Sequence, residues 1–255
     1  MIRVLVWLCC LGMSLPLAAA DDGIAALRRM AAQGNADAQF AVGEAYRREN
    51  ADTEAAFWLH MAAEQQHCQA QRELGVVYAN ALGVVKDERQ AISWYGKAAE
   101  QGDMAAQSAL AVAYAYGRGV AIDYKQAIYW ALQAGEQGDV TAQILLGAAY
   151  ATGETVAKDY KQAVAWYRRA AEQGKGVAQF QVGVGYANGF GVPKDRAQAY
   201  AWYALAVSNG YPDAEASRAR MAEKLTPDER ATAESLLNEW RTRFIAHPVA
   251  VIQTR

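Results

Sequence analysis

Cysteine and histidine are scarce in this chain, three of each among 255 residues, and basic residues hold no excess over acidic ones. Cys9 and Cys10 fall in an N-terminal apolar run, so only Cys68 belongs to the body of the chain. A lone cysteine forms no intramolecular disulfide, and the fold must stand on packing. The motifs His-Glu-x-x-His, Gly-x-Ser-x-Gly and Gly-x4-Gly-Lys followed by Ser or Thr are all missing, which leaves metalloprotease, serine hydrolase and nucleotide-triphosphatase chemistry without support. With 25 basic against 27 acidic residues the formal charge is −2, which gives no basic field for nucleic acid. Long hydrophobic stretches are lacking as well. The run from Val4 to Leu17 is shorter than the roughly 20 residues a spanning helix needs, and no later segment comes close.

That run has a different meaning. Arg3 precedes it, the small residues Ala18, Ala19 and Ala20 close it, and Asp21 and Asp22 follow. This is the order of a secretory signal peptide cut after Ala20, and it predicts an exported protein, periplasmic or secreted, with no membrane span in the mature chain. Cleavage removes Arg3 and leaves 24 basic against 27 acidic residues, a charge of −3. A retained anchor is the structural alternative. Lipidation is disfavoured because Val6, Trp7 and Leu8 supply no small residue before the cysteines.

What is abundant is hydrophobic surface, 53% of residues, and it is periodic. Trp58, Trp94, Trp130, Trp166 and Trp202 recur every 36 residues, and so do Ala70, Ala106, Ala142, Ala178 and Ala214. A fixed period of this size is the mark of a solenoid or array. Each unit splits into two helical patterns. In the first, Ala106, Leu110 and Tyr114 share one arc of a helix with Gln107 and Ala111 beside them, and the other units repeat it from Ala38, Ala70, Ala142 and Ala178. The small residues Gly43, Gly75, Ala111, Gly147 and Gly183 let the paired helix approach closely. A glycine turn follows, Gly117-Arg118-Gly119-Val120 in the third unit and Gly189-Phe190-Gly191-Val192 in the fifth. The second helix opens at Asp87, Asp123, Asp159 or Asp195, each with Gln three residues on, as in a capping box. It closes at Gly102, Gly138, Gly174 or Gly210.

Leu-Gly and Tyr on the first helix, Gly-x-Gly-Val, Asp before an Ala-x-x-Trp helix, then Ala-Ala-Glu-Gln-Gly: this order resembles the Sel1-like repeat, a relative of the tetratricopeptide repeat. The resemblance implies an all-α fold, a right-handed superhelical α/α solenoid with terminal capping helices. The boundaries are a signal peptide at 1–20, an N-terminal capping helix in 21–36, repeats at 37–68, 69–104, 105–140, 141–176 and 177–212, C-terminal capping helices in 213–245 and a tail at 246–255. Departures mark irregular places. The first unit lacks the glycine turn and has Gln66 for its closing glycine, the second has Ala81 for its first turn glycine, and the fourth has Thr155 for its second. Those turns are expected to differ in shape. At the C-terminal end, Thr226-Pro227-Asp228-Glu229 reads as a capping box opening a helix whose stripe is Ala233, Leu236, Leu237, Trp240 and Phe244.

Little of this is reaction chemistry. His60, His67 and Cys68 fall near one another, but spacings of seven and one match no standard zinc pattern, so no metal or other cofactor is expected. The repeated aromatics sit at consensus core positions and are read as packing. Counting from each first-helix alanine, offsets 2, 6 and 10 lie at about 200°, 240° and 280° around the helix, nearly opposite the core arc. In relatives of this fold that face lines a concave groove. Here it reads Phe40, Glu44, Arg48; Arg72, Val76, Asn80; Ser108, Val112, Tyr116; Ile144, Ala148, Thr152; and Phe180, Val184, Asn188. An exposed apolar strip with a polar edge suits a protein or peptide partner. The expected function is therefore a non-enzymatic interaction scaffold or adaptor of the bacterial envelope. Two other readings follow from export, aromatic content and the resemblance: a peptidoglycan or polysaccharide binding module, and a β-lactam hydrolase, the latter weakened by the lack of paired cysteines.

Overall fold

A computed structural model describes the backbone from residue 17 to residue 246 and the side chains from 24 to 242. The signal-like run up to residue 16 and the tail after residue 246 lie outside these residues, as does the side chain of Phe244. Among the described residues there are thirteen α-helices and no strand. They are α1 (Leu17–Ala32), α2 (Ala36–Arg48), α3 (Asp52–Glu64), α4 (Cys68–Asn80), α5 (Glu88–Glu100), α6 (Met104–Tyr116), α7 (Tyr124–Glu136), α8 (Val140–Thr152), α9 (Tyr160–Glu172), α10 (Gly176–Asn188), α11 (Arg196–Ser208), α12 (Glu215–Ala222) and α13 (Pro227–Ala246).

The chain divides after Asp103 into two compact units. In the first, α2 pairs with α3 and α4 with α5, α3 packs on α4, and α1 covers α2. In the second, α6 pairs with α7, α8 with α9 and α10 with α11, successive hairpins stack, and α12 and α13 close the end against α11. The C-terminal capping region expected in 213–245 opens with a 3₁₀ turn, Pro212–Ala214, followed by the short α12. The capping box forms: Thr226 N–H donates to Glu229 at 2.8 Å and Glu229 N–H to the Thr226 hydroxyl at 3.2 Å. Ala233, Leu237 and Trp240 are buried, and the Trp240 ring lies 4.3 Å from that of Trp202.

The aspartate caps also form, but only one half of the expected box. Asp87, Asp123 and Asp159 each accept two backbone N–H bonds from the first turn of their helix, and Asp195 accepts one. The aspartate's own N–H is taken by a carbonyl rather than by the glutamine three residues on. Asp87, Asp123, Asp159 and Asp195 donate at 3.0 Å to Tyr78, Tyr114, Tyr150 and Tyr186. Each turn is thus pinned to the end of its first helix, and the glutamine has no donor left to satisfy.

Ala81 keeps the turn that glycine makes elsewhere, contrary to the expectation that repeat 2 would differ. It is left-handed at φ 59, ψ 38, close to Gly153 and Gly189. Gln66 likewise takes φ 64 where the other closing residues are glycines. Thr155 departs as expected and is not in the left-handed region. An L residue in that region costs roughly 1–2 kcal/mol, partly offset by the extra chain entropy glycine loses. Ala81→Gly is therefore expected to stabilise the protein by about 0.5–1 kcal/mol. Denaturant titration checks this, and a variant no more stable than the wild type would refute the claim of strain.

Close helix approach follows a rule that the sequence shows once the pairs are known. A Cβ on Gly75, Gly147 or Gly183 would meet the ring of Tyr95, Tyr167 or Tyr203 at 2.6–2.7 Å, and one on Gly43 would meet Leu59 at 2.9 Å. The third repeat has Ala111 instead of glycine, and the ring position opposite is Ala131, buried in the same cluster. Glycine faces a large side chain and alanine a small one, which keeps the hairpin spacing filled.

Candidate partner-binding face

The fifteen residues expected to line a groove fall into three classes by exposure. The offset 10 row, Arg48, Asn80, Tyr116, Thr152 and Asn188, is exposed throughout. Offsets 2 and 6 are half-buried, except Ser108, which is buried. The expectation of an exposed apolar strip is corrected accordingly. Four of the five offset 2 side chains pack against the residue just before the next helical segment. Phe40 stacks on His67 at 4.7 Å, Arg72 pairs with Asp103 at 3.2 Å, Ser108 donates to Asp139 at 2.7 Å, and Phe180 lies 5.4 Å from Tyr211. Ile144 and Ala148 pack against one core cluster, Phe180 and Val184 against another.

The face has a different chemistry in the two units. In the first, Glu73 bridges Arg47 and Arg72, Arg47 also pairs with Glu44 at 3.1 Å, and Arg72 with Asp103. Burial pulls both guanidinium groups down, but Glu73, with Glu44 or Asp103, outweighs it and holds each above its usual value. In the second unit, α6, α8 and α10 contain no Asp, Glu, Lys or Arg in any of their three 13-residue sequences. Their outward face is half-buried aliphatic and small side chains, bordered by Tyr116, Thr152 and Asn188, with Tyr116 69% exposed.

Under this face runs a ladder of buried amides. Gln71, Gln143 and Gln179 each donate through Nε2 to a carbonyl of the preceding second helix, those of Ala63, Gly135 and Ala171, at 3.0–3.1 Å. Their Oε1 atoms accept from Gln101, Gln173 and Asn209 at 2.7–3.0 Å. Gln39 does the same with Ala31 and Gln65. Sequence reading places these glutamines beside the buried arc without assigning them a task. The signal is present, because a polar residue recurs at offset 1 in every repeat.

The three residues weighed for metal binding serve separate ends. His60 lies 3.5 Å from Glu64 and edge-on to Trp94. His67 caps α4, its Nδ1 accepting from Ala70 N–H at 3.1 Å. Cys68 donates weakly to the Ala98 carbonyl at 3.8 Å, and burial, helped by Asp103, pushes its thiol up. A thiol kept protonated is a poor nucleophile. Among the described residues no group of three His, Cys, Asp or Glu side chains converges on a metal-sized site, and no helix is long and apolar enough to cross a membrane.

Burial also pushes Tyr167, 7% exposed, up to about 12. An unfolded tyrosine ionises near pH 10, so between about pH 10 and 12 the unfolded chain releases a proton that the folded chain keeps. Stability is expected to fall over that window by on the order of 2 kcal/mol from Tyr167. Denaturant titration at either end of the window measures it, and an equal loss in Tyr167→Phe would assign the effect elsewhere.

Stacked helical hairpins, joined by buried amides and ended by capping helices, define an all-α repeat protein of the solenoid class. The chain belongs to the Sel1 repeat family, whose model matches residues 36–67, 68–103, 105–139, 140–175 and 176–211. Proteins of this family are generally non-enzymatic, and the fold commonly serves as a scaffold for protein–protein interaction. Among solved structures it is similar to a protective antigen of uropathogenic Escherichia coli with an SLR fold, at 34% identity and TM-score 0.76, over 91% of this chain and 52% of that one. It is also similar to a Sel1 repeat protein from Oxalobacter formigenes, at 33% identity and TM-score 0.67, over 79% of this chain and 59% of that one. The chain thus spans little more than half the length of either. No curated protein matches it.

Proposed function

We propose that this protein is a non-catalytic adaptor of the bacterial envelope that holds a protein partner along the first-helix face of its second unit. The observation that carries the reading is the absence of charge on α6, α8 and α10 together with the exposed row Tyr116, Thr152 and Asn188. A face without charges accepts apolar and small polar groups with no desolvation of ions, and exposed Tyr116 supplies an aromatic anchor. Export to the periplasm or beyond is part of the proposal and is supported by Arg3, the apolar run and Ala18 to Ala20.

The exposed row gives the cleanest test, because Phe180 and Val184 also hold the core. The triple variant Tyr116→Ala/Thr152→Glu/Asn188→Glu should keep the helical circular dichroism of the wild type and lose the proteins that the wild type captures from envelope extract. Identical capture by the two would sink the reading. Sedimentation with purified peptidoglycan, if unaffected by the triple variant, would favour a cell-wall ligand bound elsewhere.

A further inference from the structure

We propose that the rim of this same face binds an acidic stretch of the partner, with carboxylates seated on Arg118, Lys158 and Lys194 and apolar side chains over the neutral floor. The inference rests on the reading that the face holds a protein, and it names the chemistry of the segment that would be held.

The rim is built by the turns. Directly after Tyr116, Thr152 and Asn188 come Gly117, Gly153 and Gly189, all left-handed at φ 70, 76 and 77. That conformation reverses the chain, so the side chain five residues on folds back over the glycine. A Cβ on Gly117 would lie 3.0 Å from Ile122, one on Gly153 2.7 Å from Lys158, and one on Gly189 3.6 Å from Lys194. The side chains of Lys158 and Lys194 therefore start beside the exposed row, and the Lys158 ammonium lies 4.9 Å from the centre of the Tyr160 ring. In the third repeat, where Ile122 takes that place, the cation comes from Arg118, whose guanidinium lies 5.8 Å from the centre of the Tyr116 ring. One exposed cation thus stands at the rim of each repeat in this unit.

These cations are not neutralised by carboxylates. Arg169 and Arg196 are paired with Glu136 and Glu229, whereas Arg118, Lys158 and Lys194 form no ion pair among the described residues. The nearby Asp123, Asp159 and Asp195 direct their carboxylates at the backbone of their own helices, where the positive helix end offsets them. Glu154 is the one other acid in these turns. No charge on the floor competes, because α6, α8 and α10 have none.

Charge complementarity selects an acidic segment, and the neutral floor selects apolar residues between the acids. Helices packed in this way are about 10 Å apart, which is about three residues of extended or polyproline II chain. Acidic residues are therefore expected about every third position. Nucleic acid fits less well, since the chain has 25 basic against 27 acidic residues and offers no basic field.

Panning a random peptide library on the full chain, then measuring enriched peptides by fluorescence polarisation, tests the assignment. Enriched sequences should carry Asp or Glu among apolar residues, and Arg118→Glu/Lys158→Glu/Lys194→Glu should weaken their binding at least tenfold in a chain whose melting curve is unchanged. Raised salt should weaken it in the wild type as well. Peptides without acidic residues, or binding indifferent to the charge reversal, overturn the acidic-partner inference. If such peptides still depend on Thr152→Glu and Asn188→Glu, the face itself stands. Enrichment of none, or of peptides indifferent to both variants, overturns the inference and the adaptor reading together.

Discussion

Replacing Gly191 with alanine is expected to destabilise the protein by about 3–5 kcal/mol, a loss that Gly83→Ala, crowded by the Asp52 and Thr53 backbone at 2.3–2.4 Å, should match. Gly191 sits at φ 73, and a Cβ there would lie 2.1 Å from the Tyr160 carbonyl oxygen, 2.3 Å from its carbon and 2.7 Å from the Lys161 nitrogen. All three are backbone atoms at the start of α9, held by the Asp159 cap, so no flexible side chain can give way. Gly174 supplies the control. It is also left-handed, at φ 84, but nothing lies within 4 Å of its Cβ position, so Gly174→Ala should cost only the roughly 1–2 kcal/mol of backbone strain. Calorimetry should show a drop in unfolding temperature on the order of 10 °C for Gly191→Ala and a much smaller one for Gly174→Ala. Equal losses would mean that positive φ, not close approach, is why residue 191 is glycine.

The second large effect is expected from Gln143→Leu, about 1–3 kcal/mol. Gln143 is 3% exposed. Leucine fills nearly the same volume but takes one of two donors from the Gly135 carbonyl, which keeps the Gly138 N–H at 3.2 Å, and removes the acceptor that Gln173 uses at 3.0 Å. Two buried bonds are lost, at about 0.5–1.5 kcal/mol apiece, and the groups that made them keep one partner each. Gln173→Leu should cost less, because Gln173 is only half-buried and also donates to the Gly138 carbonyl. Denaturant titration of both single variants and the double measures the coupling, for which about 1 kcal/mol is expected. If Gln143→Leu unfolds within about 0.5 kcal/mol of the wild type, the ladder is a by-product of packing rather than its cause.

Much of the fold was legible in particular residues. Period, aspartate caps, left-handed closing glycines and the Thr226 box are local signals, each depending on neighbours a few positions away. Others were half legible. The second glycine of the turn announces positive φ, but its stricter requirement comes from α9 of the preceding repeat, as Gly191 shows. The match of glycine to tyrosine and alanine to alanine across the hairpin was written in the chain, yet it has no sequence signature until the pairing is known.

The face fared differently. Helical geometry alone turns offsets 2, 6 and 10 away from the hairpin core, and on that basis all fifteen residues were expected to be open. It takes no account of the segment that follows each repeat, whose first residues meet Phe40, Ser108 and Phe180 and make them packing residues. Only the offset 10 row, at the last turn before the glycine, stays clear.

The sequence by itself determined the repeat, its two helices, their caps and the charge-free composition of α6, α8 and α10. These depend on contacts within a turn or two of helix, and such contacts are specified by residue type and spacing. The stacking of one repeat on the next decided which side chains remain exposed, which glutamines link neighbouring helices and which cations stand at the rim. Those outcomes join residues some 30 positions apart, and burial and hydrogen bonding between them exist only once the chain has brought them together.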